Sequence, residues 1–66
     1  MIYEYLCTNA SCGGRAVLDD EKKTQQVSYP KGKGPASGKL QRHDCPVARG
    51  LWPPEIDQHP LARRVS

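Results

Sequence analysis

The chain has 66 residues, a net charge of +3 from ten Lys and Arg against seven acids, and a hydrophobic share of 36%. With no Phe, one Trp, three Tyr, six Gly and six Pro, it can build one small core at most, and a domain of that size is marginal unless something cross-links it. No run approaches the ~20 apolar residues of a membrane span, and the mild positive charge permits an acidic partner without demanding one.

The cross-link is expected from Cys7, Cys12 and Cys45. An odd number argues against a secreted disulfide framework. Residues 1–6 run into Cys, Thr and Asn rather than into the apolar stretch of a signal peptide. A reducing cytoplasm is the expected compartment, and there grouped cysteines more often hold metal than disulfides.

In chain order, residues 1–7 read as a strand. Tyr3, Tyr5 and Cys7 fall on one face, and Ile2, Glu4 and Leu6 on the other. Residues 8–14 read as a turn. Thr8, Asn9 and Ser11 can bond to nearby backbone, and Gly13 and Gly14 leave the main chain room to approach a sulfur. Four residues separate Cys7 from Cys12, within the range used around zinc. A local Cys7–Cys12 disulfide and two unconnected thiols are the alternatives.

Arg15–Leu18 reads as a second strand returning along the first, with Ala16 and Leu18 on one face. Residues 19–23 form a charged, solvated turn. Thr24–Tyr29 reads as a third strand, with Gln25, Val27 and Tyr29 on one side. Residues 30–39 combine three Lys, three Gly and two Pro with no acid, the composition of an exposed flexible loop. It is either a connector or a basic finger for phosphates. Lys31, Lys33, Lys39 and Arg42 are the candidate nucleic-acid contacts, which would supply charge but no sequence preference.

His43 and Cys45 point to one side of an extended segment. Three thiolates and one imidazole complete a tetrahedral zinc set, so Cys7, Cys12, His43 and Cys45 are the expected ligands of one structural Zn2+ ion. His59 is the competing fourth ligand, and water or a partner chain is a third possibility. Trp52, ahead of Pro53 and Pro54, is held out of a helix and is either the lid of the core or an anchor for a partner protein. Glu55–Gln58 is long enough for one helical turn, and Leu61–Ser66 is expected to fray.

The opening Met1–Cys7, with Tyr3 and Tyr5 leading into Cys7, and Cys12-Gly13 behind it, resembles the start of the small bacterial zinc ribbons of the FmdB-type regulatory family. Cys45-Pro46 matches half of that family's second Cys-Pro-x-Cys knuckle. The likeness covers about the first 18 residues and a few around Cys45. It implies a zinc-ribbon scaffold of bacterial or phage origin. The chain departs from the pattern in the four-residue gap between Cys7 and Cys12, and in Ala48, which stands where a fourth cysteine would follow Pro46.

The expected architecture is a small metal-stabilised β domain, zinc-ribbon-like, with short antiparallel strands and long loops. It spans residues 1–52, with a flexible basic loop at 30–39 and a Pro-rich extended tail over 53–66. The expected role is non-catalytic, either nucleic-acid-binding or regulatory. The alternative is a protein docking or assembly module using Trp52, and a thiol redox role comes third. No phosphate-cradling motif or paired carboxylates are present, and a chain this small has little room for a substrate cavity. Neither a small-molecule substrate nor a membrane partner is expected.

Overall fold

The structure is a computed structural model that describes residues 1–35, 38, 41 and 44–65. Four antiparallel strands form one sheet: β1 (Ile2–Cys7), β2 (Arg15–Asp19), β3 (Thr24–Ser28) and β4 (Ala62–Arg64), in the order β3-β2-β1-β4. A short helix, α1 (Glu55–Gln58), precedes β4. This is a small antiparallel β domain with a buried cysteine cluster, consistent with a metal-stabilised, zinc-ribbon-like fold.

Alternation decides the two faces. Tyr5 and Cys7 on β1, with Ala16 and Leu18 on β2, are buried. Register pairs Tyr5 with Ala16 and Tyr3 with Leu18, which stacks these side chains on one face. The other face carries exposed Ile2, half-buried Leu6 and Val17, and a Glu4–Arg15 ion pair at 3.1 Å. A one-residue slip would move every core side chain to water, so this patterning sets the register.

The core beside the sheet is built from the second half of the chain. Cys45, Pro46, Val47 and Ile56 are buried, and Leu51 and Trp52 pack partly buried against them. Gln25 on β3 ties this segment down, its side-chain amide donating to the Gly50 carbonyl at 3.1 Å. Trp52 therefore lies against the core while keeping part of its surface in solvent.

The C-terminal segment forms the single helical turn expected at Glu55–Gln58 but departs from the expected fraying tail at β4. Of residues 53–66, four form α1 and three form β4. β4 pairs antiparallel with β1, joining Cys7 to Ala62 and Tyr5 to Arg64. Thr8 seals the junction, its N–H and its hydroxyl both donating to the Leu61 carbonyl at 2.8 Å. The Tyr5 hydroxyl donates to the Asp57 carboxylate at 2.5 Å, linking β1 to α1. Three residues with two arginines carry a weak strand signal of their own. The open edge of β1 supplies the hydrogen-bonding partner that makes them a strand.

Over its described first half the basic loop is exposed, as expected, at residues 30–33 and 35, but it also makes specific contacts. Lys33 donates from its backbone to Pro30 and from its ammonium to the Ala10 carbonyl, at 3.0 and 2.9 Å. Gly34 is buried and donates to the Ser11 carbonyl at 2.9 Å. Residues 30–34 thus lie against the 8–14 turn.

Candidate metal centre

The 8–14 turn is organised by Asn9. Its side-chain carbonyl accepts from Ser11 N–H at 2.8 Å, and its backbone carbonyl accepts from Cys12 and Gly13 at 2.9 and 3.0 Å. An Asx turn followed by a tight loop is what this residue type does between two strand ends. Cys7 N–H donates to the Gly14 carbonyl at 2.9 Å, closing the loop where β1 gives way to β2. The Asn9 side-chain amide also donates to the Asp44 carbonyl at 3.4 Å, so one residue reaches both cysteine-bearing segments.

Gly14 is there because nothing larger fits. A Cβ at that position would stand 2.7 Å from the Tyr29 ring and 3.0 Å from the Cys12 sulfur. Gly34, at φ +81, would put a Cβ 2.6 Å from the same ring. Tyr29 is wedged between the two glycines, which places an aromatic wall beside the Cys12 side of the site.

Cys7, Cys12 and Cys45 are all buried, and their sulfurs lie within 4.8 Å of one another. Cys12 and Cys45 are 3.0 Å apart. Two of the sulfurs also have a backbone N–H aimed at them. Gly14 N–H donates to Cys12 at 3.2 Å and Ala48 N–H to Cys45 at 3.3 Å. Such donors offset thiolate charge.

Without a cation, burial governs these thiols. It pushes the Cys7 pKa up to about 12, with the Cys45 and Cys12 sulfurs adding to the effect and the Asn9 N–H opposing it. Burial, with Cys45 alongside, raises Cys12 as well. Three buried thiolates with no cation would repel one another in a medium of low polarity. A thiophilic divalent cation removes both penalties. With Zn–S bonds of about 2.3 Å, sulfurs around zinc stand about 3.8 Å apart, so Cys12 and Cys45 need to separate only slightly. The donor set fits zinc, and a cluster of three cysteines capable of coordinating a metal ion is present.

The expected fourth ligand, His43, lies outside the described residues, as do Lys39 and Arg42. His59, the competing ligand, is not part of the sulfur group. It is half-buried at the C-terminus of α1, where its Nδ1 accepts from Leu61 N–H at 3.1 Å. In the neutral ring this bond places the proton on Nε2, so neither nitrogen has a lone pair for a metal while the bond is kept. Lys31 is exposed, and Lys33 is committed to the Ala10 carbonyl. Trp52 lies at the opposite end of the core-facing side of the sheet, near Tyr3.

Two contributors carry little sequence signal. Ala48 acts through its N–H, which every residue but proline has. Tyr29 acts through shape, and only its packing against Gly14 and Gly34 shows it.

Compared with models of known protein families, with curated proteins and with solved structures, the chain matches none. The site therefore has to be read from its own chemistry. No helix among the described residues is long and apolar enough to cross a membrane.

Proposed function

We propose that this chain is a non-catalytic module built around one structural zinc ion, and that it binds nucleic acid in a regulatory role. The observation that carries the metal part is the convergence of three buried sulfurs, two of them accepting a backbone N–H. In this reading Cys7, Cys12 and Cys45 hold the ion and His43 completes the set. A closed set of four leaves no position for a reacting water, so the ion shapes the fold rather than a reaction. It joins the strand end at Cys7 and the turn at Cys12 to the segment at Cys45, contributing on the order of 10–16 kcal/mol to folding.

The nucleic-acid part draws support from the excess of ten cations over seven acids and from exposed Lys31. The likeness of the first strand and knuckle to FmdB-type zinc ribbons, a reducing cytoplasm and a bacterial or phage source belong to the same reading. A docking role is the second reading, favoured by the part of Trp52 that remains in solvent.

Native mass spectrometry before and after chelation tests the metal part. One zinc per chain is expected, retained in His59→Ala and weakened in His43→Ala; metal-free protein with an unchanged fold refutes it. Binding to mixed-sequence oligonucleotides across a salt series tests the rest. A steep fall with salt, and weaker binding in Lys31→Glu, are expected. Lys31 is the cleaner probe because Lys33 also braces the metal loop.

A further inference from the structure

At the far end of the sheet from the cysteines is an open groove of about 480 Å³, lined by Tyr3, Asp20, Lys23, Trp52 and Pro53. Tyr3 and Cys7 are four positions apart on one strand, about 13 Å, so the groove and the metal centre are separate sites. Two aromatic rings and a proline give it flat apolar walls. The Arg64 guanidinium lies 4.9 Å from the centroid of the Tyr3 ring, and the Lys23 side chain is exposed at the rim. Lys23 holds φ +58, unusual for a residue with a side chain, and this turn conformation fixes where its ammonium begins. The Asp20 carboxylate, the acid among the lining residues, already binds the Met1 amino group at 2.7 Å.

These observations separate the candidate occupants. A methylated ammonium would use the rings, but would meet Lys23 and Arg64 with the nearby carboxylate already paired. A proline-rich segment would use the rings and leave Lys23, the cation among the lining residues, without a role. An unpaired base with its phosphate uses the lining fully: rings for the flat heterocycle, Lys23 for the charge. We propose that this groove is a stacking site for single-stranded nucleic acid, with a base against Trp52 and Tyr3 and the adjoining phosphate on Lys23. The proposal rests on the nucleic-acid reading above and moves the main contact from the 30–39 loop to the opposite end of the sheet. Double-stranded nucleic acid keeps its bases stacked internally and would bind here only through charge.

Trp52 is the chain's single tryptophan, so its emission reports the groove directly. The zinc-loaded protein is titrated with (dT)12 and (rU)12, following Trp52 fluorescence and, in parallel, the anisotropy of labelled oligonucleotide. Quenching on binding is expected with both probes, or with one if the groove distinguishes the sugars. Affinity should fall about tenfold in Trp52→Leu. In Lys23→Gln the slope of log affinity against log salt should shrink by about 0.7. Zinc content of each variant checks its fold, and Lys23→Gln, at an exposed position, remains informative if Trp52→Leu is unstable. Oligonucleotide binding with unmoved Trp52 emission and an unchanged slope in Lys23→Gln would overturn the groove and leave the nucleic-acid reading standing. Absence of binding at every salt concentration would overturn both. Quenching by a proline-rich peptide but not by either oligonucleotide would make the groove a protein dock and refute the proposal.

Discussion

Single side chains in this molecule hold parts of the chain that are far apart in sequence. The Tyr5 hydroxyl bond to Asp57 spans 52 positions. Burial, together with this bond, lifts the Tyr5 phenol pKa to about 12. A raised acid pKa adds no pH dependence below its ordinary value near 10, and stability then falls as pH climbs from 10 towards 12. Absorbance titration should therefore show one of three tyrosines ionising near 12, with unfolding in the same range. Tyr5→Phe removes a bond to a charged acceptor and should lower stability by about 1.5–3 kcal/mol, measured by urea titration of the zinc form. Gly14→Ala acts on the metal loop directly. Its methyl group would overlap the Tyr29 ring and press on the Cys12 sulfur, costing about 1–3 kcal/mol. Zinc loss to a competing chelator should be faster than in the parent protein.

Among the elements, β4 is the one whose loss has the widest consequences. It covers the edge of β1 next to Cys7, and Val65 N–H extends the ladder by donating to the Glu4 carbonyl at 2.9 Å. A chain ending at Leu61 would leave the N–H and C=O groups of that edge unpaired beside the ligand strand. Exposed strand edges pair with other chains. Such a truncation should associate at micromolar concentration while the full chain stays dispersed, as sedimentation velocity would show. Equal sedimentation of both forms would mean that β4 adds nothing to edge protection.

For the whole molecule, the proposed zinc ion would decide whether the sheet and the 45–52 segment form one core. Among the described residues, three of the eight buried hydrophobic-class side chains are the cysteines themselves, so little apolar mass remains to hold these parts together without a cation. Removing the ion should collapse amide dispersion, and adding one equivalent of zinc should restore it. Acid should release the metal, because protons compete for the thiolates. In the metal-free form the raised Cys7 pKa has the opposite sense: stability is flat below the ordinary thiol value of 9.0 and falls as pH rises towards about 12. When the folded zinc form is treated with a mild peroxide oxidant, Cys12 and Cys45, 3.0 Å apart, should join as the metal leaves, before either pairs with Cys7. Peptide mapping by mass spectrometry reads the bond, and a Cys7–Cys12 link as first product would contradict this arrangement.

Much of this protein is written in local patterns. Period-two alternation over residues 1–7 and 15–18 placed Tyr5, Cys7, Ala16 and Leu18 inward, because a strand's side chains must alternate whatever surrounds it. The spacing of Cys7 and Cys12, with glycines after them, marked a loop able to present two sulfurs. Other features exist only when distant segments meet. β4 is a strand because β1 has an open edge, residues 30–34 are ordered by carbonyls of the metal loop, and the groove needs Tyr3 and Trp52 brought together from opposite ends of the chain. Alternation and turn chemistry are properties of a few consecutive residues and can be read from them. Edge pairing and cavity walls belong to pairs of segments, and only folding brings those pairs together.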